Sequence, residues 1–180
     1  MDIRYTNTLI SDLWSRTTQF DLWAQIEAVV AGAQGDMSII PSPAADCIQQ
    51  GLGTFRQHLH TPELSGPLLL SIDATEADVR HDVVAFLRCA GEFCSDGAPY
   101  LHYGMTSSDL VDTTLAIRLR LAAPLVAERV RGLDDLLAIG LDTHRQTPML
   151  GRTHGQPAEP ITLGLRFNQW MGMLGRANDA

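Results

Sequence analysis

Four short constellations in this sequence carry side chains able to do chemistry. Arg80-His81-Asp82 places a cation, a titratable ring and a carboxylate within one turn. Such a trio suits anion binding and proton transfer, although on a helix it equally describes a solvated polar face. Arg152-Thr153-His154 lies between Gly151 and Gly155, where backbone can approach a ligand closely and a held histidine can act as a general acid. Thr106-Ser107-Ser108-Asp109 reads first as a helix cap, and the same free amides and hydroxyls form a carboxylate or phosphate site. Arg4-Tyr5 is either a frayed terminus or a hydrogen-bonding arm over a ligand phosphate.

Composition narrows the chemistry. All 13 basic residues are arginine, which excludes Schiff-base catalysis and a Walker A loop within these 180 residues. Any anion must therefore meet Arg, His, hydroxyls or backbone amides. A net charge of −8 argues against a scaffold for nucleic acid held through phosphates. Cys47, Cys89 and Cys94 form no CxxC, so reduced, partly buried thiols are expected rather than disulfides or zinc. His58 and His60 lack a nearby carboxylate or cysteine partner and read as part of a polar loop. No metal site and no cofactor is expected. No apolar run approaches the ~20 residues of a membrane helix, and the N-terminus lacks the layout of a secretory signal. The expected location is cytoplasmic.

The elements that must position these groups read as helical. With 45% hydrophobic and 19% charged residues, a sizeable core is expected. Leu22, Ile26, Val29, Val30 and Ala33 mark an apolar stripe that Gly35 ends. Ser42-Pro43 opens a short helix ending near Gly51, and residues 53–73, with two prolines, read as an irregular connection. Thr75–Asp78 reads as a capping box for a helix bearing Val79, Val83, Phe86, Ala90 and Phe93. From Asp109 to His144 apolar residues keep helical spacing through Pro124, along two stripes, which suits a bundle between subunits. Residues 151–160 break the pattern, and a further helix resumes at Ile161. No segment reads as a strand, so the expected class is all-α, with an N-terminal helical domain over 1–108 and the start of a helical bundle over 109–180.

Taken together, these segments resemble the N-terminal portion of the adenylosuccinate lyase family, within the fumarase/aspartase superfamily. The resemblance rests on Arg4-Tyr5, Leu13-Trp14-Ser15, Arg80–Phe86, His102–Asp109 with Asp112-Thr113, and Gly151–Pro160. The Thr-Ser-x-Asp and Gly-Arg-Thr-His blocks are superfamily-wide, whereas Arg-Tyr and Arg-His-Asp-Val-Val-Ala-Phe are closer to adenylosuccinate lyases. The resemblance implies a homotetramer with a central bundle and active sites built from three subunits. It implies elimination of fumarate from adenylosuccinate and the related succinyl-carboxamide ribotide, in purine biosynthesis. Carried over by motif, His154 is the general acid and His81 assists at the leaving group or its phosphate. Arg4, Tyr5, Arg80 and Asp82 hold the nucleotide, and Thr106, Ser107 and Thr153 hold the succinyl carboxylates.

The sequence lacks the family's flexible Ser-Ser-x-Met-Pro-x-Lys-x-Asn-Pro loop, which supplies the serine base. The expectation is a lyase fragment that is inactive alone. The rivals are another superfamily lyase or cycloisomerase, and a non-catalytic truncated homologue that assembles with a full-length subunit.

Overall fold

The structure, a computed structural model, describes Arg4 and residues 6–178. Tyr5 therefore lies outside the described residues. Helices α1 (Thr8–Leu13), α2 (Arg16–Asp36), α3 (Ser42–His60), α4 (Pro62–Val79), α5 (Asp82–Gly91), α6 (Ser107–Thr143) and α7 (Leu163–Asn178) account for most of the chain. A 3-10 turn spans Ser95–Tyr100, and strands β1 (Pro148–Thr153) and β2 (Gln156–Thr162) form one antiparallel hairpin. The class is all-α apart from that hairpin. The chain divides into two compact units, residues 1–120 and 121–180, with α6 beginning in the first.

The first unit is built around aromatic side chains. Phe86 is fully buried; it stacks on Phe20 at 5.9 Å and meets Trp23 and Phe55 edge-on at 5.4 and 5.6 Å. On α2 the buried face is Phe20, Trp23, Ala24, Glu27 and Ala31, a helical i, i+3, i+4 series. This corrects the stripe expected from the aliphatic residues, of which Leu22 is buried but Val29 is 71% exposed. The larger apolar area of Phe20 and Trp23 decides which side of the helix turns inward.

Three expected breaks are not breaks. α3 continues past Gly51 to His60, because Gly51 marks a close approach: a Cβ there would lie 2.3 Å from the Phe93 carbonyl oxygen. His58 and His60 consequently belong to a helix and not to a loop. Residues 53–73 are helical on either side of Thr61, since Pro62 occupies the first turn of α4, where a missing N–H costs little. The Thr75 hydroxyl donates to the Ser71 carbonyl within α4, so it caps nothing. The helix start lies seven residues later, at Asp82.

α6 runs 37 residues through Pro124, as its spacing predicts. Its start is the predicted cap: the Thr106 amide donates to Asp109 Oδ2 at 2.8 Å. In the second unit, Phe167 of α7 packs where Gly140 of α6 leaves room; a Cβ on Gly140 would sit 2.9 Å from the ring. Gly164 likewise approaches the Arg145 backbone, while its amide donates to the His144 carbonyl.

The cysteines are free, with Cys89 and Cys94 buried, and burial pushes the Cys94 thiol up to about 11. No helix among the described residues is long and apolar enough to cross a membrane. Replacing Phe86 with alanine should cost about 3–5 kcal/mol of unfolding free energy, read by urea denaturation of the chain. A loss under about 1 kcal/mol would mean that the aromatic cluster is not the core.

Candidate active-site residues

The junction between α4 and α5 positions the first group. Arg80 ends α4 in the left-handed conformation (φ 56°, ψ 37°), its amide donating to the Glu76 carbonyl at 2.7 Å. The chain then turns sharply, and His81 becomes the N-cap of α5 in extended backbone. Its Nδ1 accepts from the Val84 amide at 3.4 Å, so in the neutral ring the proton resides on Nε2. Asp82 Oδ1 accepts from the Val83 amide at 2.8 Å and lies 3.5 Å from His81 Nδ1. Both side chains cap the new helix on one side and remain exposed on the other. The sequence places these residues inside a helix; the structure places them at the junction of two helices, where Arg80, His81 and Asp82 are all exposed.

Thr106 and Ser107 form the second group, at the start of α6. The Asp109 side chain occupies the Thr106 amide, and the first amides of the helix have no partner within it. Thr106 is exposed and Ser107 half-buried. Among the described residues, no hydrogen bond or ion pair joins this group to residues 80–82. Arg4 is exposed as well.

Thr153 and His154 belong to the second unit. The expected Gly/Pro-rich break there is the β-hairpin, which corrects the reading that no segment is a strand. Thr153 pairs with Gln156, leaving His154-Gly155 as a two-residue turn with φ of 50° and 74°. Two positive φ values are the signature of a type I′ turn, whose twist matches that of the strands it joins. His154 is thus presented at an exposed tip, and Arg152 Nη1 donates across the turn to the Gly155 carbonyl at 3.4 Å. A Thr-His-Gly-Gln run was the signal, masked by prolines at 157 and 160.

One pair was missed from the sequence. Glu27, on the buried face of α2, accepts from the His102 backbone amide at 3.0 Å and contacts His102 Nδ1 at 2.5 Å. His102 itself is left-handed (φ 63°), so the carboxylate anchors a strained segment four residues before Thr106. Gln34 of α2 adds a bond to the Tyr103 carbonyl at 2.8 Å. Glu27 and His102 lie 75 positions apart, and the visible signal was only a carboxylate inside an apolar run.

Burial pushes the Glu27 carboxyl above its ordinary value, against the opposing bonds and charge of His102. A carboxyl raised in the folded state binds its proton more tightly there than when unfolded. Its contribution to stability is therefore full below about pH 4.5 and declines as pH rises through the raised value. Glu27→Gln should flatten that decline in urea melts collected from pH 4.5 toward neutrality. An unchanged slope would assign the pH dependence to other groups.

Three comparisons with known proteins bear on this geometry. A family model described as Lyase matches residues 70–179. The adenylosuccinate lyase of Synechocystis sp. is 35% identical over 176 residues, covering 98% of this chain and 38% of that protein. Two solved structures superpose on 94% of this chain and 38% of their own. They are a fumarate lyase from Mesorhizobium sp. (TM-score 0.76, 26% identity) and beta-carboxy-cis,cis-muconate cycloisomerase from Acinetobacter calcoaceticus (TM-score 0.78, 25% identity). The chain thus spans well under half the length of the relatives it matches. It belongs to the Lyase family of the fumarase/aspartase superfamily, and it matches the N-terminal portion of adenylosuccinate lyases.

Proposed function

We propose that this chain supplies the general acid and part of the substrate cradle for elimination of fumarate from a succinylated nucleotide, adenylosuccinate first. The observation that carries this reading is the His81 ring, whose Nδ1 is held by the Val84 amide. In the neutral ring that contact leaves the proton on Nε2, which is then a donor one residue after Arg80. The relatives from Synechocystis sp. and Methanocaldococcus jannaschii, which match nearly the whole chain, are adenylosuccinate lyases, and this favours adenylosuccinate as the substrate.

In this reading a base outside the chain removes the proton from the succinyl Cβ. The electron pair forms the fumarate double bond as the Cα–N bond breaks, and His154 protonates the departing nitrogen. The type I′ turn aims His154 with little backbone freedom. His81 donates to the leaving nucleotide or its phosphate. Arg4, Tyr5, Arg80 and Asp82 hold the nucleotide, Asp82 through the part of its carboxylate not engaged with the Val83 amide. Thr106, Ser107 and Thr153 offer hydroxyls, and the start of α6 offers amides, to the succinyl carboxylates. Arg4, Arg80, His81, Asp82, Thr106, Thr153 and His154 lie at exposed positions, which fits a site completed by other polypeptide. Leu119, Leu136 and Ile139 of α6 are 53%, 66% and 64% exposed, which fits assembly into a homo-oligomeric bundle.

The chain alone should release no fumarate from adenylosuccinate. Mixed with the full-length Synechocystis relative in which the histidine matching His154 is alanine, it should restore release, and the His154→Ala chain should not. Release by the isolated chain, or equal rescue by the His154→Ala form, would overturn the assignment.

The superposition on a cycloisomerase favours a second reading, in which the substrate carries no phosphate. Arg4→Ala separates the two. In the rescued assembly it should weaken a phosphorylated substrate by about tenfold or more, since it removes a charge-assisted contact. A non-phosphorylated carboxylate substrate should be unaffected.

A further inference from the structure

Glu27 is the most deeply buried charged side chain among the described residues, 1% exposed on the face of α2 that also carries Phe20, Trp23 and Ala31. Withdrawing a carboxylate from water is unfavourable unless its oxygens are paired. Here a single residue takes both. Oε2 accepts from the His102 amide at 3.0 Å, and Oε1 meets His102 Nδ1 at 2.5 Å. The contact to the ring joins two elements. The contact to the amide of the same residue also fixes the backbone there.

The segment that follows is held at each step. The Tyr103 amide donates to the Tyr100 carbonyl, and the Tyr103 carbonyl accepts from Gln34 Nε2, about two turns further along α2. The Met105 amide donates to the His102 carbonyl, and the Met105 side chain packs against the core. The Thr106 amide then donates to Asp109 Oδ2. His102 and Gly104 have positive φ, 63° and 72°. No helix or strand carries the chain from His102 to Thr106, so its path is set from α2. Strain of this kind persists only where the surroundings over-determine it, and it gathers at functional sites. What the segment delivers is the start of α6, with the Thr106 and Ser107 hydroxyls.

We infer that Glu27 is a positioning residue: through His102 it sets where Thr106 and Ser107 stand, and so how tightly a substrate carboxylate is held at the start of α6. That this carboxylate is succinyl rests on the elimination reading above; the placing of Thr106 by Glu27 does not. The role is one of geometry, because a negative charge on Glu27 would repel a carboxylate and not attract it.

Two variants separate placement from packing. Glu27→Leu removes both acceptors and suits the apolar neighbours, whereas Glu27→Gln keeps an acceptor oxygen for the His102 amide. In the nitrogen-15-labelled chain, hydrogen exchange at the Thr106 amide should quicken about tenfold or more in Glu27→Leu and change less than about threefold in Glu27→Gln. Amides in the middle of α6 should be unchanged in both. For kinetics, each chain is mixed with the full-length Synechocystis relative whose residues matching Thr106 and Ser107 are valine and alanine, so that restored sites use this chain's hydroxyls. Glu27→Leu should then raise KM for adenylosuccinate about tenfold with kcat within about threefold, and Glu27→Gln should return KM to the unsubstituted value. Loss of packing alone would lower kcat, by reducing the number of folded sites, and leave KM unchanged. Exchange at Thr106 unchanged in Glu27→Leu, or a fall in kcat with KM unchanged, would overturn the inference. If the unsubstituted chain restores no activity while Thr106 exchange responds as expected, the elimination reading falls and the placing of α6 by Glu27 stands. If Glu27→Leu fails to fold, Gln34→Met decides, since it removes only the bond to the Tyr103 carbonyl: unchanged exchange at Thr106 would again overturn the inference.

Discussion

Everything in the first unit that bears on chemistry hangs from the burial of Phe86. α5 has ten residues, too few to be stable as a helix by itself. It is held because Phe86, Val83 and Ala85 enter the core, and its N-cap, His81, is held with it. The same ring meets Trp23 edge-on, which fixes one wall of a cavity that Arg118 also lines. An apolar contact with no functional group of its own thus sets the positions of a histidine and an indole on different helices.

Polar anchors do the finer placing, and they act where the backbone is strained. Arg80, His102 and His154 all adopt positive φ, a conformation that costs roughly 1 kcal/mol or more for a residue with a Cβ. Each is over-determined by its surroundings: Arg80 by the last turn of α4, His102 by two contacts to Glu27, and His154 by the strands on either side. Asp21 anchors in another way. Burial raises its pKa, but bonds from Arg56 and His60 and the Arg56 charge outweigh that and leave it lowered. The stability it lends is present above about pH 3.8 and is lost as pH falls through the lowered value.

What could be read from the sequence was what is local. α6 was legible because a cap and an unbroken apolar spacing both reside in neighbouring residues, and Thr106 and Asp109 bond as their spacing predicts. Gly51 and Pro62 misled because a residue type says that helix is disfavoured, not that packing or a first-turn position compensates. The hairpin was hidden because His-Gly is a less familiar turn pair than Asn-Gly and because Pro157 and Pro160 argue against strands. In a two-stranded sheet both strands are edges, where proline is tolerated. Among the site groups, Arg80-His81-Asp82 stood out by type, but the helix junction that exposes them did not. Glu27 with His102, and Arg118 with Ser15, lie 75 and 103 positions apart. No periodicity reports such pairs.

The hairpin carries one more consequence. Side chains along a strand alternate between its two faces, so adding or removing one residue anywhere in 148–153 or 156–162 would invert every side chain beyond the change. Gly151 already sits at the one irregularity in the ladder, with no room for a Cβ against the Glu159 carbonyl. This segment can therefore accept many exchanges of side chain at its exposed positions, whereas a change in its number of residues has to be absorbed in a bulge such as the one opposite Gly151. In the hairpin, the count of residues constrains the sequence more tightly than their identity.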